Sequence, residues 1–412
     1  MRKIFLSIGV FLTLIMSVQA GGYRVSLQGV RQAAMAHTSA HTKDASVMFF
    51  NPAGISFVES KLSVAFGVFG ISAENEYQNA ATNYSAKTDS PLGTPAYLAV
   101  SYRPLTDFTV GLSVTTPYGS TIKWDDTWAG NQLVQEIDLK AFYIQPTVAY
   151  KFSEWFSAGF GFIYARGSVN LKKQISVGGQ LELDATEASG TGFNLGAYFK
   201  PSNKLDISVG YRSNVDMKVT GGDANFKGVP SSLIGGTTFV TANDKFDATL
   251  PLVSELLLGV SYKVTPKLTL AADVNFAGWQ KYKNLTFDFE QNNVGNQTDL
   301  TISKSAKNFK QSNIYRIGGE YKATDKLDLR LGYYYDQSPV KDAYWSPETP
   351  STNNHAFTGG LGYKFGKGFN VDLFGAYLKG EVRDVNNTIA GFTGQARSKA
   401  VYFGLGFSYN AF

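Results

Sequence analysis

Three histidines and no cysteine limit the chemistry open to this chain of 412 residues. His37 and His41 are four residues apart, a spacing that sets two imidazoles on one helical face, as metal ligands require. No carboxylate or third histidine joins them at a supporting spacing, so polar contacts are expected and a metal is not. His355 has Ser351 and Asn353 beside it, but a hydrolytic triad assembles in space, and sequence neighbours do not make one. An enzyme of that kind would lose activity on replacing His355; the expectation here is no enzyme and no cofactor. Gly159-x-Gly161 and Gly360-x-Gly362 fall inside strand-like runs. They lack the strand–turn–helix setting of a phosphate loop, so close packing explains them better. Without cysteine there is neither a disulfide framework nor a thiolate metal site.

The composition is wrong for an ordinary soluble enzyme, and it says where the chain resides. Met1-Arg2-Lys3 leads into an apolar run from Ile4 to Val18, then Gln19-Ala20 before Gly21. That is the layout of a secretory signal peptide over residues 1–20. Losing Arg2 and Lys3 takes the 38 basic residues to 36, against 33 acidic ones. So mild and interspersed a balance offers no stripe for nucleic acid. The chain carries 42 Gly, 23 Tyr and 30 Phe, a composition suited to a sheet with one face in lipid and the other in a crowded lumen. No apolar run after the leader approaches the roughly 18 residues of a membrane helix. A bilayer-spanning form must then be a closed barrel; a secreted soluble β-protein is the alternative.

Alternation decides between them. Leu327, Leu329, Leu331, Tyr333 and Tyr335 share one strand face, and Asp328, Arg330, Gly332 and Asp336 the other. Leu205, Ile207, Val209 and Tyr211 alternate with Asp206, Ser208, Gly210 and Arg212 in the same way. Leu268, Leu270, Ala272, Val274 and Phe276 alternate with Thr269, Ala271, Asp273 and Asn275. Each apolar row ends in an aromatic, as a membrane girdle requires. Short breaks at 103–107, 151–155, 200–205, 263–268, 322–327 and 364–369 alternate with long polar stretches such as 73–93, 221–243, 290–306 and 337–354. Short turns at one rim and long loops at the other predict a fourteen-stranded antiparallel transmembrane β-barrel over residues 59–412, in the outer membrane of a Gram-negative cell. The predicted strands include 61–72, 107–116 and 189–200. The last carries Val401, Phe403, Leu405, Phe407 and Tyr409 on one face, and the chain ends in Phe412, the terminal aromatic of such barrels.

Residues 21–58 do not alternate. Ala33, Ala34, Ala36 and Ala40 allow short helical turns, closed by Asn51-Pro52-Ala53-Gly54. A barrel this wide leaves an aqueous interior unless something fills it, and this segment is the expected hatch. Gly22-Tyr23, Gln28-Gly29, Asp44-Ala45-Ser46 and Phe49-Phe50-Asn51-Pro52-Ala53-Gly54 resemble the N-terminal hatch of the FadL family of outer-membrane transporters. Thr116-Pro117-Tyr118-Gly119, followed by Trp124-Asp125-Asp126-Thr127-Trp128-Ala129-Gly130, resembles that family's third strand and the loop after it. Tyr164-Ala165-Arg166 is a third match. Pro117 departs from the family, where another polar residue is common.

The resemblance implies passive uptake of long-chain fatty acids or, in relatives, aromatic hydrocarbons, with outer-membrane lipid and lipopolysaccharide around a monomer. Trp124, Trp128 and Tyr118 would offer an apolar landing site at the loops. The ligand would pass to a luminal pocket, where Arg166 is the candidate cation for a carboxylate that is costly to bury unpaired. Phe50, Asn51, Pro52, Ala53 and Gly54 would hold the hatch against the wall. A kink in the third strand would release the ligand sideways; Pro117 lacks a ladder N–H and Gly119 tolerates unusual dihedrals. Arg24, Arg31, Lys43 and Asp44 are expected to pair with luminal Asp206, Arg212, Asp273 and Arg330. The competing reading is a structural or adhesive barrel with a plugged, charge-filled lumen.

Overall fold

The computed structural model describes residues 21–25, 28–387 and 390–411. The expected leader, residues 1–20, and the terminal Phe412 lie outside the described residues. The alternating runs form antiparallel strands: β1 Leu62–Asn79, β2 Ala96–Tyr102, β3 Phe108–Lys123, β4 Glu136–Ser153, β5 Phe156–Gln174 and β6 Gln180–Ser202. The next four are interrupted: β7 is Leu205–Arg212 and Val215–Lys227, and β8 is Asn243–Leu252 and Glu255–Lys263. Likewise β9 is Leu268–Ala277 and Asn284–Phe289, and β10 is Ile302–Ala306 and Ser312–Lys322. Then come β11 Leu327–Asp336, β12 Asn354–Gly366, β13 Phe369–Gly380 with Arg383–Asn387, and β14 Phe392–Ala411. Strand β1 pairs with β14 from Leu62↔Ala411 to Gln78↔Gln395, which closes a fourteen-stranded barrel and leaves no free edge.

The faces are inverted relative to a water-soluble sandwich. On β11, Leu329 is 42 % and Leu331 74 % exposed, while Asp328 and Arg330 are buried. Apolar side chains look out and charged ones look in, the arrangement lipid imposes. Several strands run further outward than the predicted spans of 61–72, 107–116 and 189–200. In β1, β3 and β6 the ladder continues to Asn79, Lys123 and Gln180. These extensions are polar because they stand in water above the bilayer, and polar strand reads as loop. The expected loop at 290–306 likewise contains the outer piece of β10.

The N-terminal segment lies inside. Helices α1 (Val30–Ala34) and α2 (Val47–Phe50) and a 3-10 turn at Pro52–Phe57 are too short to persist alone and are held by the wall around them. Asn51 caps the turn, accepting from the Ala53 N–H at 3.0 Å, with Pro52 pre-set in the first position. The Asn51 amide donates to Ala197 O, Ser208 Oγ and Val209 O at 2.9, 2.9 and 3.2 Å. A Cβ at Gly196 would strike Asn51, and one at Gly159 would strike the Pro52–Ala53 backbone, so these two glycines let the chain touch the wall.

Candidate ligand-binding site

The lumen is built in two tiers. In the lower one, near the short turns, inward charges meet the N-terminal segment. Arg330 contacts Glu320, Asp328 and Asp372 at 2.8, 3.6 and 2.6 Å. Arg31 reaches Asp44, Glu320 and Asp372, each at 3.8 Å. Arg24 pairs with Glu255 and Asp336 at 3.2 Å. Arg24 and Arg31 thus pair with luminal carboxylates and Asp44 with Arg31, but none of these ion pairs is one of those expected with Asp206, Arg212, Asp273 or Arg330. Arg212 takes Phe49 O and the Phe49 ring, Asp273 accepts from the Ser39 N–H at 2.8 Å, and Asp206 is held by Lys200 and Tyr198. Sequence alternation fixes which face a charge occupies, not its height in the barrel. His37 Nε2 accepts from the Gln28 N–H at 2.8 Å, and His41 faces Glu320 at 3.5 Å. Among the described residues no cluster of three His, Asp or Glu could hold a metal.

Above this plug the inward row turns apolar. Leu139, Leu171, Met217, Leu250, Leu252 and Phe287 line a luminal cavity of about 60 Å³. Beside it a larger cavity of about 340 Å³ runs past Tyr118, Leu139 and Ala141 to Ser90, Pro95 and the outward Phe142. Leu139, Lys140, Ala141 and Ser120 line both. The larger cavity sits at a fault in the wall. Pairing of β2 with β3 stops at Tyr97↔Thr115, and the β3–β4 register shifts between Thr115 and Tyr118. The hatch fills the broken ladder: Val25 N–H donates to Pro117 O at 2.8 Å and Gly119 N–H to Tyr23 O at 3.0 Å. Gly119 does not adopt a positive φ; what it supplies at this fault is the N–H that Tyr23 accepts.

An aromatic roof covers the outer mouth. Trp124 and Trp128 stack at 4.3 Å, with Trp345, Tyr77 and Phe392 beside them, and both indole N–H groups donate to loop carbonyls. Both tryptophans are 2 % exposed, so they form the lid's core, not a landing surface; loop folding buries them against each other. Lys307 and Glu348 form a buried pair beneath the roof. Burial pushes the Glu348 carboxyl up, but the Lys307 ammonium and hydrogen bonds from Lys307 and Ser346 outweigh it and hold it below the usual glutamate range.

Tyr118 is buried at the fault, its phenol donating to Val253 O at 2.8 Å. Arg166 is misplaced for its expected role. Alternation along β5 sets it with Phe160, Phe162 and Tyr164 on the outer face, 53 % exposed and 3.6 Å from Glu187. The rule that assigns faces, applied from Ile163 and Ala165 inward, would have shown this. His355 also faces out, bonding Tyr333 Oη at 2.7 Å and Glu381 at 3.1 Å.

The family model described as outer membrane protein transport protein (OMPP1/FadL/TodX) matches residues 12–411. The chain belongs to this family. Among curated relatives of this outer-membrane transport protein, outer membrane protein P1 of Haemophilus influenzae is 25 % identical over 74 % of the chain and 73 % of that protein. The long-chain fatty acid transport protein of Escherichia coli K12 is 24 % identical over 74 % of the chain and 75 % of its own length. Among solved structures, a Pseudomonas aeruginosa FadL homologue superposes with a TM-score of 0.83 at 18 % identity, over 94 % of this chain and 99 % of that one. The Pseudomonas putida toluene transporter TodX gives 0.71 at 17 %, over 95 % and 99 %. At such identities the structures share the fold. The family motifs lie in the hatch, in β3 and the loop after it, and at Tyr164–Arg166 of β5, whereas the pocket residues Leu171, Met217, Leu250 and Phe287 fall outside all of them, on β5, β7, β8 and β9. Their signal is a switch in the inward row from charged to apolar, visible on β7 between Arg212 and Val215.

Proposed function

We propose that the chain carries hydrophobic compounds across the outer membrane by diffusion, with long-chain fatty acids as the first ligand class. One observation carries this: an apolar luminal pocket lies between a charged plug and an aromatic roof, beside a cavity that reaches the outer surface at the β3 fault. Matching apolar area supplies affinity at roughly 25 cal/mol per Å², so such a pocket selects chains and rings over polar solutes. A purely adhesive barrel would have no use for it. Relatives named as long-chain fatty acid transport proteins supply the ligand class. Capture follows movement of the roof loops, and release follows withdrawal of Tyr23–Val25 from β3, which opens the wall towards the bilayer and its lipopolysaccharide. Closure of the sheet on itself supports a monomer. Arg166 is not placed for a head-group role, and neither is Lys140, which borders both cavities but faces outward between the buried Leu139 and Ala141, 58 % exposed and paired with Asp138 at 2.6 Å.

Neutral aromatic hydrocarbons are the second reading, favoured by Glu348 in the lining of the smaller cavity, a charge that repels a carboxylate. Binding of a labelled 16-carbon carboxylate and of toluene to the reconstituted protein separates the two. Met217→Glu should abolish both, because it sets a charge in an apolar pocket. Arg166→Ala should change neither. Binding that survives Met217→Glu would sink the pocket assignment.

A further inference from the structure

The wall has a second fault, on strands away from β3. Strands β7, β8, β9 and β10 are interrupted at 213–214, 253–254, 278–283 and 307–311. At two of the strand junctions the ladder is kept: between β7 and β8 Leu252↔Val215 lies just above Glu255↔Arg212, and between β9 and β10 Lys307 and Phe309 donate to Lys283 O and Tyr282 O. Between β8 and β9 it is not. These strands pair below from Lys263↔Thr269 to Glu255↔Ala277, and above only over Phe246–Ala248 with Phe289–Phe287. From Thr249 to Val253 the outer part of β8 has no ladder partner on β9. Pro251, in the middle of that stretch, has no N–H to give. Its carbonyl and that of Val253 are taken from inside the lumen, by the Tyr23 phenol at 2.5 Å and the Tyr118 phenol at 2.8 Å.

The unpaired stretch has a cavity on each side. Inside is the apolar pocket, with Leu250, Leu252, Leu285 and Phe287. Outside is an open groove of about 640 Å³ lined by Lys218, Lys281 and Lys283 with Asp216, Asp247 and Asp288. Val219 of β7 and its partner Ala248 and neighbour Thr249 on β8 line both, so these three residues separate them. All three acids are engaged: Asp216 accepts from Asn214 Nδ2 at 3.3 Å, Asp247 from the Gly221 N–H at 2.8 Å and Asp288 from Thr301 Oγ1 at 3.2 Å. The nearest ion pair, Lys281 to Asp216, is 4.0 Å long. Below the breaks the same strands present Leu256, Leu258, Val260 and Leu270 outward, each more than a third exposed. Above them the outward row is Lys245, Asp247 and Thr249. The groove therefore sits where the lipid-facing band ends.

Resting on the uptake reading above, we propose that the gap between β8 and β9 is a second side window, at the outer-leaflet interface, through which a single-chain anionic amphiphile enters the luminal pocket. Its carboxylate stays at Lys218 and Lys283 while its hydrocarbon chain passes Ala248 and Thr249 to Leu250 and Phe287. The route needs no movement of the roof. It couples to the β3 fault, since Tyr23 and Tyr118, which line the cavities there, also hold the free carbonyls of β8.

The absence of cysteine makes the test clean. In Thr249→Cys/Thr286→Cys a bis-maleimide would bridge the window, and the heat-induced shift in gel mobility would check that the barrel is folded. The probe is a fluorescent 16-carbon carboxylate added to proteoliposomes, with entry followed by stopped-flow. The expected result is loss of the fast entry phase when the double variant is bridged, measured against the same variant unbridged, with its equilibrium binding the same before and after bridging. Lys218→Glu/Lys283→Glu should slow entry of the carboxylate, but not of its neutral methyl ester. Unchanged entry through the bridged protein would overturn the window and leave the pocket standing. Absence of binding in wild type would overturn the uptake reading, and the window with it.

Discussion

Replacing Arg31 by methionine tests what holds the hatch in the barrel. Arg31 is buried and faces Asp44, Glu320 and Asp372 at 3.8 Å each. Arg330 and Lys364 supply the other cations of this group, and Asp328 a fourth carboxylate. Three cations face four carboxylates in the wild type and two in the variant. At 3.8 Å and an effective dielectric of 20, each attraction is about 4 kcal/mol before desolvation. Methionine keeps the volume and removes the charge, which in buried pairs costs about 3–5 kcal/mol because the partners stay behind unpaired. The carboxylates escape that cost if the hatch leaves and water enters. The cost therefore falls on docking, shifting it by about two to four powers of ten, while the closed sheet keeps its ladder. The assays are proteolysis within residues 21–58 and liposome swelling in a small sugar. The expectation is a cleavable N-terminal segment and a leaky channel in a barrel that still runs as folded on an unheated gel. A variant as protected and as tight as wild type would refute the argument that charge pairing docks the hatch.

Two further outcomes concern the roof. Trp128→Ala removes the stack with Trp124 and the edge contact with Phe392, a loss of about 3–5 kcal/mol for a buried tryptophan. The loops at 123–136 and 336–354 should become protease-sensitive while the barrel's thermal midpoint holds; equally protected loops would contradict a packed lid. Glu348 has a carboxyl held below its unfolded value, so its contribution is present above the unfolded pKa and lost as pH falls through the folded one. Tryptophan emission from the roof should therefore change on acidification below the usual glutamate range. Glu348→Gln should remove that transition and loosen the roof at neutral pH, because Lys307 is left buried without its carboxylate; an identical acid transition in the variant would assign it elsewhere.

Strand faces were legible because they depend on a strictly local rule. Successive strand side chains alternate, so Leu329 outward and Arg330 inward follow from neighbours in the chain, as does the count of fourteen strands from the short turns. The same rule places Arg166 outside, beside Phe162 and Tyr164; the expectation of a luminal cation there rested on resemblance in place of phase. Height was not legible. Polar strand above the bilayer and polar loop have the same composition, so the outer halves of β1, β3 and β6 could not be told from loops.

By itself the sequence determined a transmembrane barrel of this strand number, the inward and outward sets of side chains, and a hatch tied to the wall at Asn51–Gly54. Only the tertiary structure decided which inward residues share a level. That is what turned Leu171, Met217, Leu250 and Phe287 into one pocket, sealed Trp124 and Trp128 into a roof, and left β8 unpaired opposite β9. The reason is that a closed, tilted sheet brings together residues hundreds of positions apart according to strand stagger. Stagger is set by every turn and every break in the ladder at once, and no single stretch of sequence records it.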